Sequence, residues 1–455
     1  MMPDSPPAPS AAPTSAPATG ERLNRGAVLW VALAVFAQEA VWNFYDAQVP
    51  EQLRHYFSSA GVIGLVMGLD HSWGIFTQPW VGFYSDGLAR RRTGRWPIVL
   101  VGAVIATVPF ALIPWATNLP ALLACVVGFA AIANAFKGVT ETLISDYVTP
   151  GNRSKAQGFI KAGVSLTIVV SSLISLLVVD RSLHLAFAIP PLLMLTMLGL
   201  SWAFLGRYHR DAAIPEEQTE EQTEEQTEEQ TEEQTEEQTE EQTEEQTEGE
   251  REFTTPWAVL KDALRSPSSP TLLLMVGIFC FAGMWSALRS LMTPYGTQVL
   301  GLTRGEAGGL TLPGAVAFLV CVLPIAYLSN RLGQLRAMRH GVALFIAGLL
   351  VGFAWPSVPG TIASMILSSL GYASFAVNAL VALWKLAPTH KVLGTYTALY
   401  TIASASGMAL GPAILGTTID LTSWRYMLLN AAVFAGITFA VFTRLARRAP
   451  DRTAA

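Results

Sequence analysis

Long runs of apolar residues alternate with short polar segments along most of the chain. Most runs have about 20 residues, the length that an α-helix needs to cross the hydrocarbon core of a bilayer. Twelve runs occur in two sets of six, so the pattern predicts an all-α membrane protein with twelve transmembrane helices in two six-helix bundles. The predicted spans are Ala27–Val49, Gly61–Tyr84, Ile98–Trp115, Leu119–Ile144, Gln157–Val179, Leu185–Leu205, Thr271–Leu300, Gly305–Leu328, His340–Trp355, Thr361–Leu386, Gly394–Ile419 and Arg425–Arg444.

The polar segments set the domain boundaries. The first 26 residues are rich in Pro, Ala and Ser, so we expect a disordered cytoplasmic tail and no signal peptide. A polar linker separates the two bundles, and a short cytoplasmic tail follows the second bundle. The predicted units are the tail 1–26, the bundle 27–205, the linker 206–270, the bundle 271–444 and the tail 445–455.

The linker contains eight consecutive Glu-Glu-Gln-Thr repeats, from Glu216 to Thr247. On a helix this period would bring like charges together four residues apart, where they repel. We therefore expect a solvated, extended linker, with a partner-binding acidic segment as the alternative.

Charge is distributed unevenly between the two sides of the predicted membrane. The formal net charge is −5, but 18 of the 34 acidic residues lie in the linker tract, and the mean hydropathy is +0.39. Loops on the side of the two termini carry 22 Lys and Arg residues, whereas the other side carries only Arg54, Arg181, Arg304 and Arg425. The positive-inside rule then predicts a multi-pass cell-membrane protein with both termini in the cytoplasm.

A basic loop with the sequence GFYSDGLARRRTGRWP follows the second span, from Gly82 to Pro97. Its small residue, its acid four positions later and its cluster of arginines resemble the loop after the second helix in the major facilitator superfamily. A degraded copy, from Leu328 to Gly341, follows the eighth span and keeps Gly333. The resemblance implies the major facilitator fold, in which two halves are related by an axis along the membrane normal.

The run Thr77–Asp86, TQPWVGFYSD, is similar to the end of helix 2 in sucrose transporters and related glycoside–cation symporters. A second match, Leu143–Pro150, follows the fourth span. The resemblance implies a secondary transporter working by alternating access, and we expect proton-coupled symport of a sugar or glycoside-like solute. Gly74 and Gln78 stand where sodium-coupled melibiose-type permeases carry two acids, which argues against sodium. Glu141 stands where plant sucrose transporters carry an arginine, which argues against sucrose.

Ionisable side chains inside a span are costly, so they usually face a cavity or a partner. Glu39 and Asp70 lie in antiparallel spans at similar predicted depth, and we expect at least one to carry the coupling proton; the alternative is a carboxylate held by a neutral hydrogen bond. Lys137 and Glu141 are four residues apart on one helical face, where they can form an ion pair. That pair is either structural or exchanges partners with the solute, Glu39 or Asp70.

Further candidates for the substrate cavity are Trp42, Asn43 and Tyr45 in the first span, and Trp285 and Arg289 in the seventh. Trp42 and Tyr45 are alternatively aromatic residues of the membrane interface, and Arg289 is alternatively part of an interhelical salt bridge. Asp46 and Glu51 lie nearer the outer rim, where we expect solvated surface. The complete predicted cavity set is Trp42, Asn43, Tyr45, Lys137, Glu141, Trp285 and Arg289.

The resemblance also implies a cytoplasmic gate. In the superfamily, the loop acid and its basic neighbours look like a latch against the second half, and such a charge cluster pairs in one state and hydrates in the other. Asp146 and Arg153 are expected to make a related contact, and simple anchoring of the topology is the alternative. The predicted gate residues are Gly82, Asp86, Arg90, Arg91, Arg92, Arg95, Asp146 and Arg153.

The sequence shows no metal-spaced Cys/His set and no phosphate-binding Gly-Lys loop, so we expect no enzyme, no metal and no cofactor other than a proton gradient. The expected partners are a small-molecule solute and the lipid bilayer, without nucleic acid, and we expect a monomer. Two rivals remain open. One is an exporter of amphipathic compounds or a carrier of organic-anion or lipid-like solutes, and the other is a non-transporting membrane sensor or scaffold.

Overall fold

The computed structural model of the protein describes residues 24–89, 94–148, 150–205, 269–387 and 393–448. Most of the described residues lie in twelve long α-helices. The structure does not describe Arg90, Arg91 and Arg92. It also does not describe the predicted linker and the two predicted tails, except for a few of their residues next to the bundles. The helices are α1 (Arg25–Arg54), α2 (Ala60–Ala89), α3 (Trp96–Leu112), α4 (Leu119–Tyr147), α5 (Pro150–Ile174), α6 (Leu183–Leu205), α7 (Pro270–Val299), α8 (Leu312–Leu332), α9 (Gln334–Ala354), α10 (Val358–Trp384), α11 (Leu393–Leu421) and α12 (Met427–Arg448).

The helices match the predicted spans, and the fold class is confirmed. Ten helical segments are long and apolar enough to cross a membrane over their described residues, and the two other long helices, α2 and α5, contain 30 and 25 residues. Two spans are less regular than predicted. The eighth begins with a separate short helix, Arg304–Gly309, and the fifth ends in a π-helical turn, Ser175–Val179.

Capping residues define several helix starts. The side chain of Asn118 accepts a hydrogen bond from the backbone N–H of Ala121 at 2.9 Å, and α4 begins at the next residue. Thr303 and Glu306 form a reciprocal capping box at the short helix. These side chains satisfy backbone donors that have no partner within a helix.

Each half contains a buried asparagine that ties its fourth helix to its second. In the first half, Asn134 of α4 donates to the backbone oxygen of Asp70 in α2 at 2.8 Å. In the second half, Asn378 of α10 donates to the hydroxyl of Ser329 in α8 at 2.8 Å. Both asparagines also donate to the backbone oxygen four residues earlier, so neither amide is buried without partners.

The loops after α2 and α8 also share a backbone feature. Gly94 has a φ of 59° and Gly333 has a φ of 83°, and each lies just before the next helix. A side chain is strained at positive φ, so glycine allows both sharp turns. The common turn supports the internal repeat that was predicted from the two loop sequences.

Candidate functional site

A cavity of about 660 Å³ lies between the two halves. The first half contributes α1 and α5 to its wall, and the second half contributes α7, α8, α10 and α11. The lining residues are Glu39, Asn43, Val164, Ser165, Ile168, Trp285, Leu288, Arg289, Thr311, Ala315, Phe318, Val322, Leu323, Met365, Ser368, Ser369, Tyr372, Ala376, Val377, Leu380 and Tyr400.

Most of the cavity wall is apolar, and its aromatic part comes from the second half. The rings of Trp285 and Tyr372 stack with centroids 4.0 Å apart and planes at an angle of 6°. Phe318 lies beside Tyr372, with ring centroids 5.9 Å apart. The charged side chains of the wall are Glu39 of α1 and Arg289 of α7. The cavity therefore combines a mostly apolar wall with a localised polar site.

Arg289 forms that polar site together with α1. Its Nη2 donates to Asp46 Oδ2 at 3.0 Å and also to Asn43 Oδ1. The amide of Asn43 donates in turn to the hydroxyl of Thr167 in α5 at 2.6 Å. The expectation of solvated surface for Asp46 is therefore wrong, because its side chain is only 19% exposed and pairs with the arginine of the other half.

A second ion pair lies within the first half. The ammonium of Lys137 in α4 is 2.7 Å from Glu39 Oε1 in α1 and 5.8 Å from the centre of the Trp42 ring. Lys137 thus contacts a carboxylate on a neighbouring helix. Glu141 is half-buried one turn further along α4 and does not line the cavity.

Three other candidates are buried inside the first half. Trp42 and Tyr45 pack against Phe129 of α4, with ring centroids 4.9 and 5.3 Å apart, and neither is among the cavity residues. They are also not at a lipid-facing surface, since their side chains are 7% and 0% exposed. Asp70 is 1% exposed in α2, at the site where Asn134 crosses from α4.

One end of the interface between the halves is closed by polar contacts. We call it the closed face; it is the end at which α1 ends and α2 begins. Asp420, at the end of α11, accepts hydrogen bonds from the backbone N–H groups of Ala60 and Gly61 at 2.7 and 2.9 Å and from the hydroxyl of Ser59 at 2.5 Å. A carboxylate of the second half therefore caps the first turn of a helix in the first half.

Arg304 makes a second contact at the closed face. Its Nε and Nη1 donate to the side-chain oxygens of Gln48 and Gln52 in α1 at 2.9 and 2.8 Å, and Nη2 donates to the backbone oxygen of Gln48 at 2.7 Å. Nearby, Asp180 accepts from the hydroxyl of Thr303 at 2.6 Å and from the backbone N–H of Gly305 at 2.8 Å.

Glu51 also belongs to this closed face. Its carboxylate binds Arg54 at 2.6 Å and accepts from the hydroxyl of Thr297 in α7 at 3.2 Å. The residue is 3% exposed, so the expectation that it lies on solvated surface is wrong.

Glycines bring the backbones of α2 and α11 into direct contact at the closed face. A Cβ built on Gly64 would overlap the carbonyl group of Pro412, and one on Gly68 would overlap the carbonyl oxygen of Ala409. A Cβ on Gly416 of α11 would overlap the carbonyl group of Ala60. Small residues allow such close approach between membrane helices.

The opposite end, which we call the open face, lacks this packing at the same two helices. A Cβ on Gly82 or Gly87 of α2, or on Gly394 of α11, would meet no atom of the described residues within 4 Å. Leu323, which lines the cavity, is 76% exposed. The cavity is therefore closed at one face of the protein and open at the other.

Two of the predicted gate residues contact each other at the open face. The guanidinium of Arg95, at the start of α3, pairs with the carboxylate of Asp146, near the end of α4. The adjacent Trp96 donates to the hydroxyl of Tyr147 at 2.7 Å. Both contacts lie within the first half. The side chains of Asp86 and Arg153, and the predicted contact of Arg153 with Asp146, lie outside the described residues.

Sequence reasoning missed Tyr372, Asp420 and the role of Asp46. Tyr372 stands in an ordinary apolar span, and Asp420 stands at a span end where a solvated acid is common. The signal for Asp46 was weak but present, because it lies one helical turn from Asn43 in a span with several polar residues.

Comparison with known proteins agrees with this architecture. The model of the Major Facilitator Superfamily matches residues 31–323 and 309–455. A search of curated proteins finds no significant match.

Several solved structures share the fold. A bacterial homolog to human lysosomal transporter, Spinster, in an inward-facing and occupied conformation, has 16% identity and a TM-score of 0.67, covering 92% of this chain and 96% of the other. A mutant of the nucleoside transporter NupG has 12% identity and a TM-score of 0.68, covering 92% and 99%. The peptide transporter POT in complex with sulfate has 14% identity and a TM-score of 0.63, covering 92% and 95%. Identities this low show the fold alone, but the family model covers most of the chain, and the protein belongs to the Major Facilitator Superfamily.

Proposed function

We propose that the protein is a secondary active transporter that moves a small organic solute across the cell membrane by alternating access. The observation that carries this proposal is the cavity between the halves, which direct contacts close at one face and which is open at the other. In carriers built from two bundles, rocking of one bundle against the other exposes a fixed site to either side in turn. The membership in a family of transporters supports the proposal.

The open face is proposed to be cytoplasmic. It carries the start of α1 and the loop that begins after α2, and the basic residues of the sequence are concentrated on this side. By the positive-inside rule, the structure then corresponds to the inward-open state.

Two solute classes suit the cavity. The stacked pair of Trp285 and Tyr372 offers a flat aromatic surface for a sugar or glycoside-like solute, the class that the sequence resemblance implies. The mostly apolar wall favours a second candidate, an amphipathic solute with an organic-anion or lipid-like character, whose polar group would lie near Arg289.

We also propose that transport is coupled to protons through carboxylates in the membrane. Glu39 lines the cavity next to Lys137, and Asp70 is buried in α2. Glu39→Gln and Asp70→Asn are each expected to reduce accumulation driven by a proton gradient while exchange of solute continues. If accumulation is unchanged in both variants, these two residues do not couple transport to protons.

Uptake into proteoliposomes tests the proposal. The panel includes monosaccharides, alkyl glucosides, alkyl carboxylates and alkyl phosphates, each with and without an inward proton gradient. We expect saturable uptake of at least one solute, accelerated by the gradient, and retained when the linker repeats are shortened. A folded protein that binds a solute without any flux would support the sensor or scaffold and contradict transport.

A further inference from the structure

We infer that the end of α12 at the open face carries a binding site for an anionic phospholipid. Arg444, Arg447 and Thr443 bind the phosphate of the headgroup, and the acyl chains lie along the apolar surface of the same helix. This surface shares no residue with the cavity between the halves. The inference therefore goes beyond the proposed function and does not depend on transport.

One side of α12 faces away from the rest of the protein. Val433 and Ile437 are 63% and 46% exposed. Ala440, Arg444 and Arg447 follow at intervals of three or four residues and are exposed as well, so all five belong to one side of the helix. We call this side the outer stripe. Its first part is apolar and suits the hydrocarbon core of a bilayer, and it ends in two guanidinium groups.

The length of α12 brings these guanidiniums to the membrane surface. The helix contains 22 residues. At a rise of 1.5 Å per residue this corresponds to about 33 Å, close to the ~30 Å of the hydrocarbon core. Arg444 and Arg447 lie near the end of the helix, so their side chains are at the level of the phospholipid headgroups.

A groove of about 550 Å³ lies beside the two arginines. Phe439 and Ala440 contribute apolar atoms to its wall, and Thr443 lines it too. The Oγ1 atom of Thr443 is buried and has no hydrogen-bond partner among the described residues. By contrast, Thr196 and Thr417 each donate to the backbone oxygen four residues earlier. Buried polar atoms are normally paired, so the Thr443 hydroxyl is a donor suited to a ligand oxygen.

The second half offers the two arginines no counter-charge at the open face. The sequence contains only two acidic residues between positions 271 and 448, Glu306 and Asp420, and both belong to the closed face. A guanidinium suits the oxygens of a phosphate, which supplies the missing charge. A headgroup without an amine leaves that phosphate charge uncompensated, so the site favours phosphatidylglycerol over phosphatidylcholine.

The acidic repeats of the linker suit this surface less well than a lipid does. The repeats from Glu216 to Thr247 consist of Glu, Gln and Thr. They supply carboxylates for the arginines but no aliphatic or aromatic side chain for Phe439 and the outer stripe. A phospholipid supplies an anionic group and apolar chains in one molecule, so it matches both parts of the surface.

Quenching by brominated lipids tests the site in the full chain reconstituted in phosphatidylcholine bilayers. A bimane label at Ile437→Cys, in a background without native cysteines, reports the lipids next to the outer stripe. We expect brominated phosphatidylglycerol to bind there at least about fivefold more tightly than brominated phosphatidylcholine. A label at Leu192→Cys, on the exposed side of α6, should report no such preference. An equal preference at both positions would indicate diffuse attraction and overturns the inference.

Substitutions in the labelled protein separate a phosphate site from general attraction to basic residues. Arg444→Gln and Arg447→Gln are each expected to weaken phosphatidylglycerol binding about fivefold. Thr443→Val keeps the shape of the side chain without its hydroxyl, and a loss of about threefold is expected. Arg331→Gln removes an exposed guanidinium from α8 and is the matched control. Binding that is indifferent to the two α12 arginines, or to Thr443→Val, overturns the inference.

Two further conditions distinguish the lipid from other occupants. Millimolar glycerol 3-phosphate carries the phosphate without acyl chains, and a second variant carries glutamine in place of every glutamate of the repeats. We expect neither condition to change phosphatidylglycerol binding. Displacement by glycerol 3-phosphate would assign the groove to a soluble phosphate. A lipid preference that appears only in the glutamine variant would assign it to the repeats, and either result overturns the inference.

Thermal unfolding in detergent provides a readout without a label. A Cβ on Gly277 of α7 would overlap the ring of Phe442, so α12 packs tightly against α7. Lipid bound to α12 is expected to stabilise this half, and phosphatidylglycerol should raise the Tm more than phosphatidylcholine does. The double variant of Arg444→Gln and Arg447→Gln should lose this difference. Equal shifts with both lipids in the wild type contradict the inference, whereas the absence of flux for every solute contradicts only the proposed function.

Discussion

The two ends of the interface between the halves are built from different contacts. At the closed face, Asp420 and Arg304 reach from one half to the other, and glycines let the backbones of α2 and α11 touch. At the open face, Arg95 and Asp146 pair within one half. In the proposed alternating-access cycle, contacts across the halves must break, whereas contacts within a half can persist. The comparison therefore separates groups that set the conformational equilibrium from groups that hold a bundle together.

The chemistry of the closed face suits an interface that opens repeatedly. Its hydrogen bonds join hydroxyl, amide, guanidinium and carboxylate groups that water can bind equally well after separation. A hydrogen bond therefore contributes only about 0.5–1.5 kcal/mol net, or about 1.5–3 kcal/mol when one partner is charged. A few such bonds give an energy difference that a solute or a proton can reverse.

The largest effect on transport is expected from a substitution where the backbones of α2 and α11 touch. Gly68→Val places a branched side chain against the carbonyl oxygen of Ala409, so α2 and α11 cannot approach. We expect the closed face to stay open and transport to fall about 100-fold or more. Spin labels at Thr117→Cys and Pro356→Cys, both exposed in loops of this face, report the separation of the halves in a background without native cysteines. Gly199→Val is the control, because a Cβ there meets no described atom.

Asp420→Ala is expected to shift the equilibrium between the closed and open arrangements of this face by less than Gly68→Val does. The change removes the acceptor for two backbone N–H groups and for Ser59, which we expect to disfavour the closed arrangement by about 2–3 kcal/mol. The same spin-label pair should show a population of longer distances. Asp420→Asn keeps a side-chain oxygen and should shift the distances less. Identical distance distributions in Asp420→Ala and the wild type would mean that this cap does not hold the face closed.

Arg304→Ala is expected to change the rate of uptake less than Asp420→Ala does. It removes three hydrogen bonds to Gln48 and Gln52, but it also removes a partly buried cation that is costly to desolvate, so the net change in the stability of the closed arrangement is about 1 kcal/mol. Uptake rates under a fixed gradient should change several-fold. Arg181→Ala removes an exposed arginine from the same face and should leave the rate nearly unchanged.

The smallest conformational effect is expected from the pair at the open face. Arg95→Gln and Asp146→Asn each remove one partner of a mostly buried pair within the first half, which should lower stability by about 1–3 kcal/mol. The spin-label distances at the closed face should not change. A double-mutant cycle measured by thermal unfolding gives the coupling energy of the pair. A clear shift in the distances would show that this pair also sets the conformational equilibrium.

The sequence predicted the helices better than the site. Apolar runs of membrane length and the repeated basic loop are local patterns, and each corresponds to helices or a turn in the structure. The partners of charged residues are not local. Asp46 and Arg289 are separated by 243 positions, so nothing in the surrounding sequence indicates that they meet.

Helical spacing also suggested a partner for Lys137 that differs from the one in the folded protein. Lys137 and Glu141 have the spacing of a helical ion pair, but the carboxylate of Glu39 on α1 lies closer to the ammonium. Trp42 and Tyr45 could not be placed because α1 is buried on most sides, and a helix without a distinct lipid-facing stripe gives no pattern to orient its residues.

The cap that Asp420 provides has a consequence for energy conservation. Its oxygens bind backbone N–H groups directly, so these donors need no bridging water between the halves. Direct contacts of this kind leave less room at this point for a file of water molecules, which is what conducts protons through a protein. The proposed coupling to a pH difference would depend on such tightness, since every proton that leaks past an empty cavity dissipates the gradient without moving a solute.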